Sequence, residues 1–424
     1  MDVDKREYKP RLVDEKIELY LDVFGAISIE GPKWCGKTWS SLYHSKSNIN
    51  LSDDEVREKV EVDTSFALNG ATPRLIDEWN LVPGLWDRVR NRCDATTKKG
   101  NYILTCSTKL TDKDQKEKVK HSGAGRIGKI KMKPMSLYES GDSTGQVSIM
   151  DMYNKTQEFC NNNKLELSEL ANLIVRGGWP GNITKEGNKS GIIPKEYIEN
   201  ILDVDMNNDK TRDKIKMMML LKSLARNEST IVSNKTLMRD IEENEIDDNI
   251  GSSNTVEDYL DALERLHIID NQYAYTENYR SRERVGKASK RHFTDPSLAC
   301  AILGLNQEKL LNDIKTFGFM FESLVERDLD IYMNYLNGKL YHFRDNVSGL
   351  EVDSILEFED GEYAAVEIKL GFNQVDEAKK NLIKFKKNMI KEPKFMCIIV
   401  GILDACLIDE ETGIYILPIT ALKP

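Results

Sequence analysis

The chain has 424 residues, 31% of them charged and 40% apolar, with a formal net charge of −10. That length implies roughly two to four domains, each able to bury its own core. The acidic balance argues against a general nucleic-acid coat, and no apolar run approaches the roughly 20 residues needed to cross a bilayer. Met1 to Arg6 is charged and lacks an apolar stretch, so no secretory leader is expected. Seven cysteines, at 35, 93, 106, 160, 300, 397 and 406, form no C-x-x-C pair, and the five histidines show no ligand spacing. These features point to reduced thiols, no structural zinc and a cytoplasmic protein with no membrane partner.

In chain order, residues 1–24 read as a lead-in helix and Gly25 to Glu30 as a short buried strand. Gly31-Pro32-Lys33-Trp34-Cys35-Gly36-Lys37-Thr38 follows and fits G-x-x-x-x-G-K-[ST] at every required position. Glycines let backbone N–H groups turn toward phosphates, and the helix opening at Thr38 adds partial positive charge. Lys37 is expected at the β- and γ-phosphates of ATP, and the Thr38 hydroxyl on Mg²⁺.

Ser52 to Val62 reads as a charged helix. Arg74-Leu75-Ile76-Asp77-Glu78-Trp79 ends a short apolar run in an Asp-Glu pair. Asp77 would hold Mg²⁺ through water, and Glu78 would orient or deprotonate the attacking water. Pro83 to Cys93 is a helix with proline at its start. Asn101 to Ser107 is a strand whose hydroxyl tip, at Ser107, can touch the attacking water or the γ-phosphate. Arg126, before the strand Ile127 to Met132, is a candidate for stabilising transition-state charge, within its own subunit or across an interface. Strands alternating with helices argue for an α/β fold with a parallel sheet and the phosphate loop at its C-terminal edge.

Residues 151–175 read as helical and are broken by Arg176-Gly177-Gly178-Trp179-Pro180-Gly181. Helices at 194–206 and 214–226 follow. A helix pair at Lys235–Ile241 and Thr255–Leu266, then a hairpin of His267–Ile269 with Gln272–Tyr275, make a winged-helix pattern that could contact DNA. Two basic runs are where a phosphate backbone could dock: Lys109 to Lys133, and Arg280, Arg282, Arg284, Lys287, Lys290 and Arg291.

The last third reads as a helix at Phe317–Leu329, strands at Leu340–Arg344, Leu350–Phe358 and Glu362–Ile368, a basic helix at Val375–Lys387 and a strand at Phe395–Val400. Strand alternation puts Glu367 and Lys369 on one face. Asp353 and Glu367 on neighbouring strands can share a divalent metal, Mg²⁺ or Mn²⁺, with Lys369 beside them and Glu322 completing the site. A cross-strand charge pair is the non-catalytic alternative.

These motifs together resemble a prokaryotic ATPase family of the AAA+ superfamily with a C-terminal domain of unknown function. The resemblance is carried by Gly31–Thr38, Leu75–Trp79, Ile103–Ser107, Gly123–Ile127, Arg176–Pro180, Phe293–Pro296, Phe319–Val325, Glu351–Asp353 and Glu367–Lys369. It implies an AAA+ P-loop core over 1–150, a helical lid over 151–210 and a winged-helix-like domain over 211–310. It also implies an α/β domain over 311–424 similar to PD-(D/E)XK nucleases. The Gly-Gly-Trp-Pro turn is similar to an element bordering the nucleotide base, which would place Pro180 there, and Arg176 is a candidate second sensor. Glu-Val-Asp replaces the Pro-Asp of the nuclease pattern. The implied function is a Mg²⁺-dependent ATPase that couples nucleotide state to DNA binding or processing. The alternative is a nucleotide-gated switch or scaffold whose last domain is inactive and docks protein or nucleic acid. A homo-oligomer is expected of such a core.

Overall fold

The computed structural model describes residues 7–110, 119–162, 165–202, 214–242, 253–277, 289–345 and 347–424. Two compact units emerge: Met1–Met135 with Ala262–Ile268, and Ser136–Asp261 with Ile269–Pro424.

The first unit runs α1 (Val13–Val23), β1 (Ala26–Glu30), α2 (Lys37–His44), β2 (Ser47–Asn50), α3 (Asp54–Val62), β3 (Arg74–Asp77), α4 (Leu85–Asp94), β4 (Tyr102–Cys106) and β5 (Ile127–Lys131). Its five strands are parallel in the order β2-β3-β4-β1-β5. Both faces of the sheet are covered, which explains the near-continuous apolar strands. Residues alternate between two cores. Ile27, Ile29, Leu75 and Ile103 pack with Ile17 of α1 and Leu42 of α2. Ala26, Ile76 and Leu104 pack with Val60 of α3 and Leu85, Trp86 and Val89 of α4. Parallel strands put every strand's C-terminus, and therefore the phosphate loop, Asp77 and Ser107, at one edge. β2 is not legible as a strand in the sequence, because Ser47-Asn48-Ile49-Asn50 is half-buried and mostly polar.

The second unit begins at Ser136, not after residue 150. The Leu137 N–H donates to Asp328 (2.9 Å), and Ser143 Oγ donates to the Leu422 carbonyl (2.7 Å). Its strands are β6 (Val147–Ser148), β7 (Cys160–Asn161), β8 (Thr230–Ile231), β9 (Ile269–Ala274), β10 (Lys290–Phe293), β11 (Lys339–Arg344), β12 (Glu351–Glu357), β13 (Tyr363–Lys369), β14 (Met396–Val400), β15 (Ala405–Ile408), β16 (Tyr415–Pro418) and β17 (Leu422–Lys423). Helices along this part of the chain include α5 (Leu167–Arg176), α6 (Lys214–Arg226), α7 (Asn234–Glu242), α8 (Ser253–Arg265), α9 (Pro296–Leu303), α10 (Ile314–Tyr335) and α11 (Val375–Asn388). Among the described residues, ten strands form one sheet in the order β7-β15-β16-β14-β13-β12-β11-β9-β10-β8.

That sheet corrects two expectations. A boundary at 310 does not separate two bodies, since β9 pairs in parallel with β11. The hairpin expected over 267–275 is one strand, β9. His267 turns the chain at φ 56° just before it, and β9 pairs antiparallel with β10 some twenty positions on. Residues 278–288, which include Arg280, Arg282, Arg284 and Lys287, lie outside the described residues. The C-terminal order of helix, three strands, helix and strand (α10, β11, β12, β13, α11, β14) is the one read from the sequence, and the structure pairs the first three strands antiparallel and β13 parallel with β14.

Candidate functional site

The phosphate loop leaves β1 and rests against the exit of β5. A Cβ on Gly31 would lie 2.1 Å from the Met132 carbonyl oxygen, so only glycine fits there. Gly36 adopts φ 106° at the start of α2, a conformation that favours glycine. Trp34 is held at φ 66° and is exposed, while Cys35 is fully buried. The loop residues Gly31, Pro32, Lys33, Trp34, Cys35, Gly36, Lys37 and Thr38 thus form one turn on the N-terminus of an eight-residue helix. The Lys37 side chain is buried, and its Nζ donates to the carbonyls of Gly31 (3.0 Å) and Pro32 (2.8 Å).

Asp77 closes the site from β3. It accepts from Thr38 Oγ1 at 3.1 and 3.2 Å and from Thr105 Oγ1, and is itself buried. Burial raises its pKa and the Glu78 charge adds to this, while the bonds from Thr105 and Thr38 and the nearby Lys37 oppose it. A buried carboxylate beside a hydroxyl is a hard-oxygen pair that suits Mg²⁺.

Glu78 sits at φ 54°, left-handed for a non-glycine residue, which is the kind of backbone strain found at functional sites. Its N–H donates to Thr105 Oγ1 (3.1 Å), and its carboxylate accepts from the Ser107 N–H (3.2 Å) and hydroxyl. Ser107 therefore holds the carboxylate that would orient water. Thr105, which touches both Asp77 and Glu78, was not singled out from the sequence.

The within-subunit role expected of Arg126 is corrected. It precedes β5, whose first residue, Ile127, pairs with Ala26 at the start of β1. In a parallel sheet that is the edge opposite the phosphate loop. Arg126 is half-exposed and paired with Asp94 at 2.7 Å. It does not join the phosphate loop of its own subunit.

The Arg176–Pro180 turn belongs to the second unit, where hydrogen bonds to that unit's own residues hold it, although Arg176 Nε is buried with no partner among the described residues. Gly178 N–H donates to Asp295 Oδ2 (2.9 Å) and Trp179 Nε1 to Ser297 Oγ (2.9 Å). A Cβ on Gly177, at φ 68°, would lie 2.4 Å from Asp295 Oδ1. Asp295 also accepts from Arg327 (2.8 Å), which pairs with Asp328 (2.6 Å). Arg176 pairs with Asp142 (2.5 Å) and donates to the Ile183 carbonyl (2.6 Å). Pro180 opens a single 3-10 turn behind the buried Trp179. The two motifs that carry the resemblance here, Arg176–Pro180 and Phe293–Pro296, form one buried polar network.

The second unit also brings together the C-terminal set. Lys369 Nζ bonds both Asp353 (3.0 Å) and Glu367 (2.6 Å). The Ile368 N–H donates to Asp353 (2.8 Å), and Asn381 of α11 donates to Glu367 (2.5 Å). Burial pushes Glu367 up to about 8, with Asp353 adding to the shift and Lys369 and Asn381 opposing it. For Asp353, burial works against the charge, but Lys369 and Lys290 outweigh it and hold the pKa below the usual value. Glu322 lines a cavity of about 570 Å³ together with Lys369, Phe319, Gly371 and Gln374.

Glu322 is itself engaged. The buried Lys290, one of the basic run from Arg280 to Arg291 expected to meet a phosphate backbone, instead pairs with Glu322 and with Glu326 (2.7 Å). Among the described residues, no three His, Cys, Asp or Glu side chains are grouped as a metal site. Asp353 and Glu367 offer hard oxygens, but Lys369 stands on both, so a divalent ion would have to displace its ammonium.

With this geometry established, comparison with known proteins gives three matched segments. Residues 24–141 match an AAA domain family, named AAA_14. The match supports an AAA-type ATPase. Residues 167–309 and 317–422 match two domains of unknown function, DUF8612 and DUF4143. No curated protein matches the sequence. Among solved structures, a Walker-type ATPase of Pyrococcus abyssi is 12% identical, with a TM-score of 0.44 over 70% of this chain and 97% of its own. The Aeropyrum pernix ORC2 protein in its ADPNP–ADP complexes is 13% identical, with a TM-score of 0.35 over 73% of this chain and 97% of its own. The ATPase assignment rests on the family match and on the Lys37, Thr38, Asp77 and Glu78 geometry. No helix among the described residues is long and apolar enough to cross a membrane.

Proposed function

We propose that the protein is a Mg²⁺-dependent ATPase that couples nucleotide state to DNA binding or processing through its C-terminal nuclease-like domain. The observation that carries the ATPase part is the convergence of Lys37, Thr38, Asp77, Glu78 and Ser107 at one edge of the sheet. Phosphate oxygens would take the Lys37 ammonium from the Gly31 and Pro32 carbonyls. Thr38 and Asp77 would hold Mg²⁺, which when bound neutralises charge on the β- and γ-phosphates. Glu78, fixed by Ser107, would orient the attacking water and accept its proton.

The nuclease-like part is supported by the α10 to β14 element order and by the meeting of Asp353, Glu367 and Lys369. One observation favours a second reading, a nucleotide-gated switch or scaffold with an inactive last domain. The Lys369 ammonium closes on both carboxylates, so a divalent ion would have to displace it.

Both readings are tested by incubating the protein with Mg²⁺ or Mn²⁺, with and without ATP, against single-stranded, duplex and branched DNA. Under the first reading, Glu367→Ala leaves ATP turnover within about twofold of the parent and removes strand cleavage. Cleavage that survives this substitution contradicts the site as placed. DNA-stimulated ATPase with no cutting by the parent protein favours the switch, and points to DNA or a protein partner docking on the last domain.

A further inference from the structure

We propose that Arg11 is a positioning residue of the phosphate loop, aiming one of the loop's N–H groups by holding the carbonyl of the same peptide. The inference rests on the ATPase reading above. Arg11 lies ahead of α1 and is only 6% exposed. Its Nη1 donates to the Cys35 carbonyl (2.8 Å) and its Nη2 to the Lys133 carbonyl (2.9 Å). Cys35 belongs to the loop, and Lys133 to the segment after β5 on which the loop rests.

The consequence follows from peptide geometry. The Cys35 carbonyl and the Gly36 N–H belong to one planar trans unit and point in opposite directions. Fixing the carbonyl on Arg11 therefore aims the Gly36 N–H away from Arg11, out of the loop's supported side. A phosphate-binding loop works only if its N–H groups converge on the ligand and its carbonyls do not. The guanidinium supplies two donors in a fixed fork, so it can tie two carbonyls from different elements together. An ammonium is a point charge and does not reproduce that fork.

Arg11 is itself anchored. Its N–H donates to Asp14 Oδ2 (2.7 Å). The Tyr8 hydroxyl donates to Asp14 (2.7 Å) and bonds Ser40 Oγ of α2 (2.8 Å). The Tyr8 ring stacks on Tyr43 of α2 at 4.5 Å, and His44 meets Asp14 at 3.1 Å. Residues 8–14 thus form a strap tied to the loop at Cys35 and to the helix behind it at Ser40, Tyr43 and His44. No motif spacing marks Arg11, because the strap and the loop meet only in the fold.

The test uses the full chain, with Arg11→Ala and Arg11→Lys, a fluorescent ATP analogue for Kd, and steady-state ATPase kinetics. Losing one charge-assisted bond to the loop and one to the segment it rests on is expected to raise Kd and KM about 10- to 100-fold in Arg11→Ala. Turnover at saturation stays within about threefold, since the groups at Glu78 are untouched. Arg11→Lys falls between Arg11→Ala and the parent. Millimolar guanidinium recovers part of the Arg11→Ala affinity and none of that lost in Lys37→Ala, a response that general loosening of the fold does not produce. Parent-like Kd in folded Arg11→Ala overturns the inference. If that variant does not fold, parent-like Kd in Arg11→Lys overturns it. A parent protein that fails to bind ATP overturns the ATPase reading itself, and the inference with it.

Discussion

Glu78→Gln is expected to bind ATP with an affinity within about threefold of the parent protein and to hydrolyse it roughly 10²-fold more slowly or worse. The reason is geometric. Glutamine can accept from the Ser107 N–H through its oxygen and donate through its NH2 to the Ser107 hydroxyl, so the left-handed turn after β3 keeps its anchor. It cannot take a proton from water at neutral pH. The Lys37, Thr38 and Asp77 contacts that would meet the phosphates lie on other residues and survive. Single-turnover hydrolysis alongside equilibrium binding checks this. Loss of affinity equal to the loss of rate would make Glu78 a structural residue, and unchanged turnover would remove it from catalysis.

Asp295→Ala is expected to destabilise the second unit by about 3–5 kcal/mol, the range for removing one partner of a buried ion pair. Asp295 is fully buried. It accepts from Arg327 (2.8 Å), Gly178 N–H (2.9 Å), Ser297 N–H (3.0 Å) and Ser297 Oγ (2.6 Å). Removing its carboxylate leaves those donors in a low-dielectric interior, with only Asp328 still paired to Arg327. Denaturant unfolding of parent and variant measures the loss. A change below about 1 kcal/mol would show that this network is not what holds the Gly177–Trp179 turn to α9 and α10.

The phosphate loop was legible because phosphate chemistry demands particular residues at short, fixed spacing. The same holds for Asp77 and Glu78, which follow a buried strand. What the sequence hides is which strand ends share an edge. Arg126 precedes a strand that is plainly apolar, but the parallel pairing of β5 with β1 places it at the far edge, on Asp94. Lys290 reads as one more basic residue in a charged run until the fold sets it against Glu322 and Glu326, more than thirty positions away. The hairpin over 267–275 fails for a similar reason: β9 is a single strand whose antiparallel partner, β10, lies well beyond the local window. The C-terminal set fared differently. Period-two alternation correctly puts Glu367 and Lys369 on one face, but alternation says nothing about whether the lysine closes on the carboxylates. Arg176 and Pro180 carry a motif that resembles a nucleotide-bordering element. Their contacts, described within the second unit, are with Asp142, Ile183 and the turn that Asp295 holds.

The most direct test of the central claim is Mg²⁺-dependent ATP binding and turnover by the full chain, with Lys37→Ala measured in parallel. Lys37 is the buried cation whose ammonium lies against the Gly31 and Pro32 carbonyls at the mouth of α2. The account predicts saturable turnover by the parent protein that requires Mg²⁺, with loss of hydrolysis and greatly weakened nucleotide binding in Lys37→Ala. Equal affinity and equal turnover in the two proteins would contradict it.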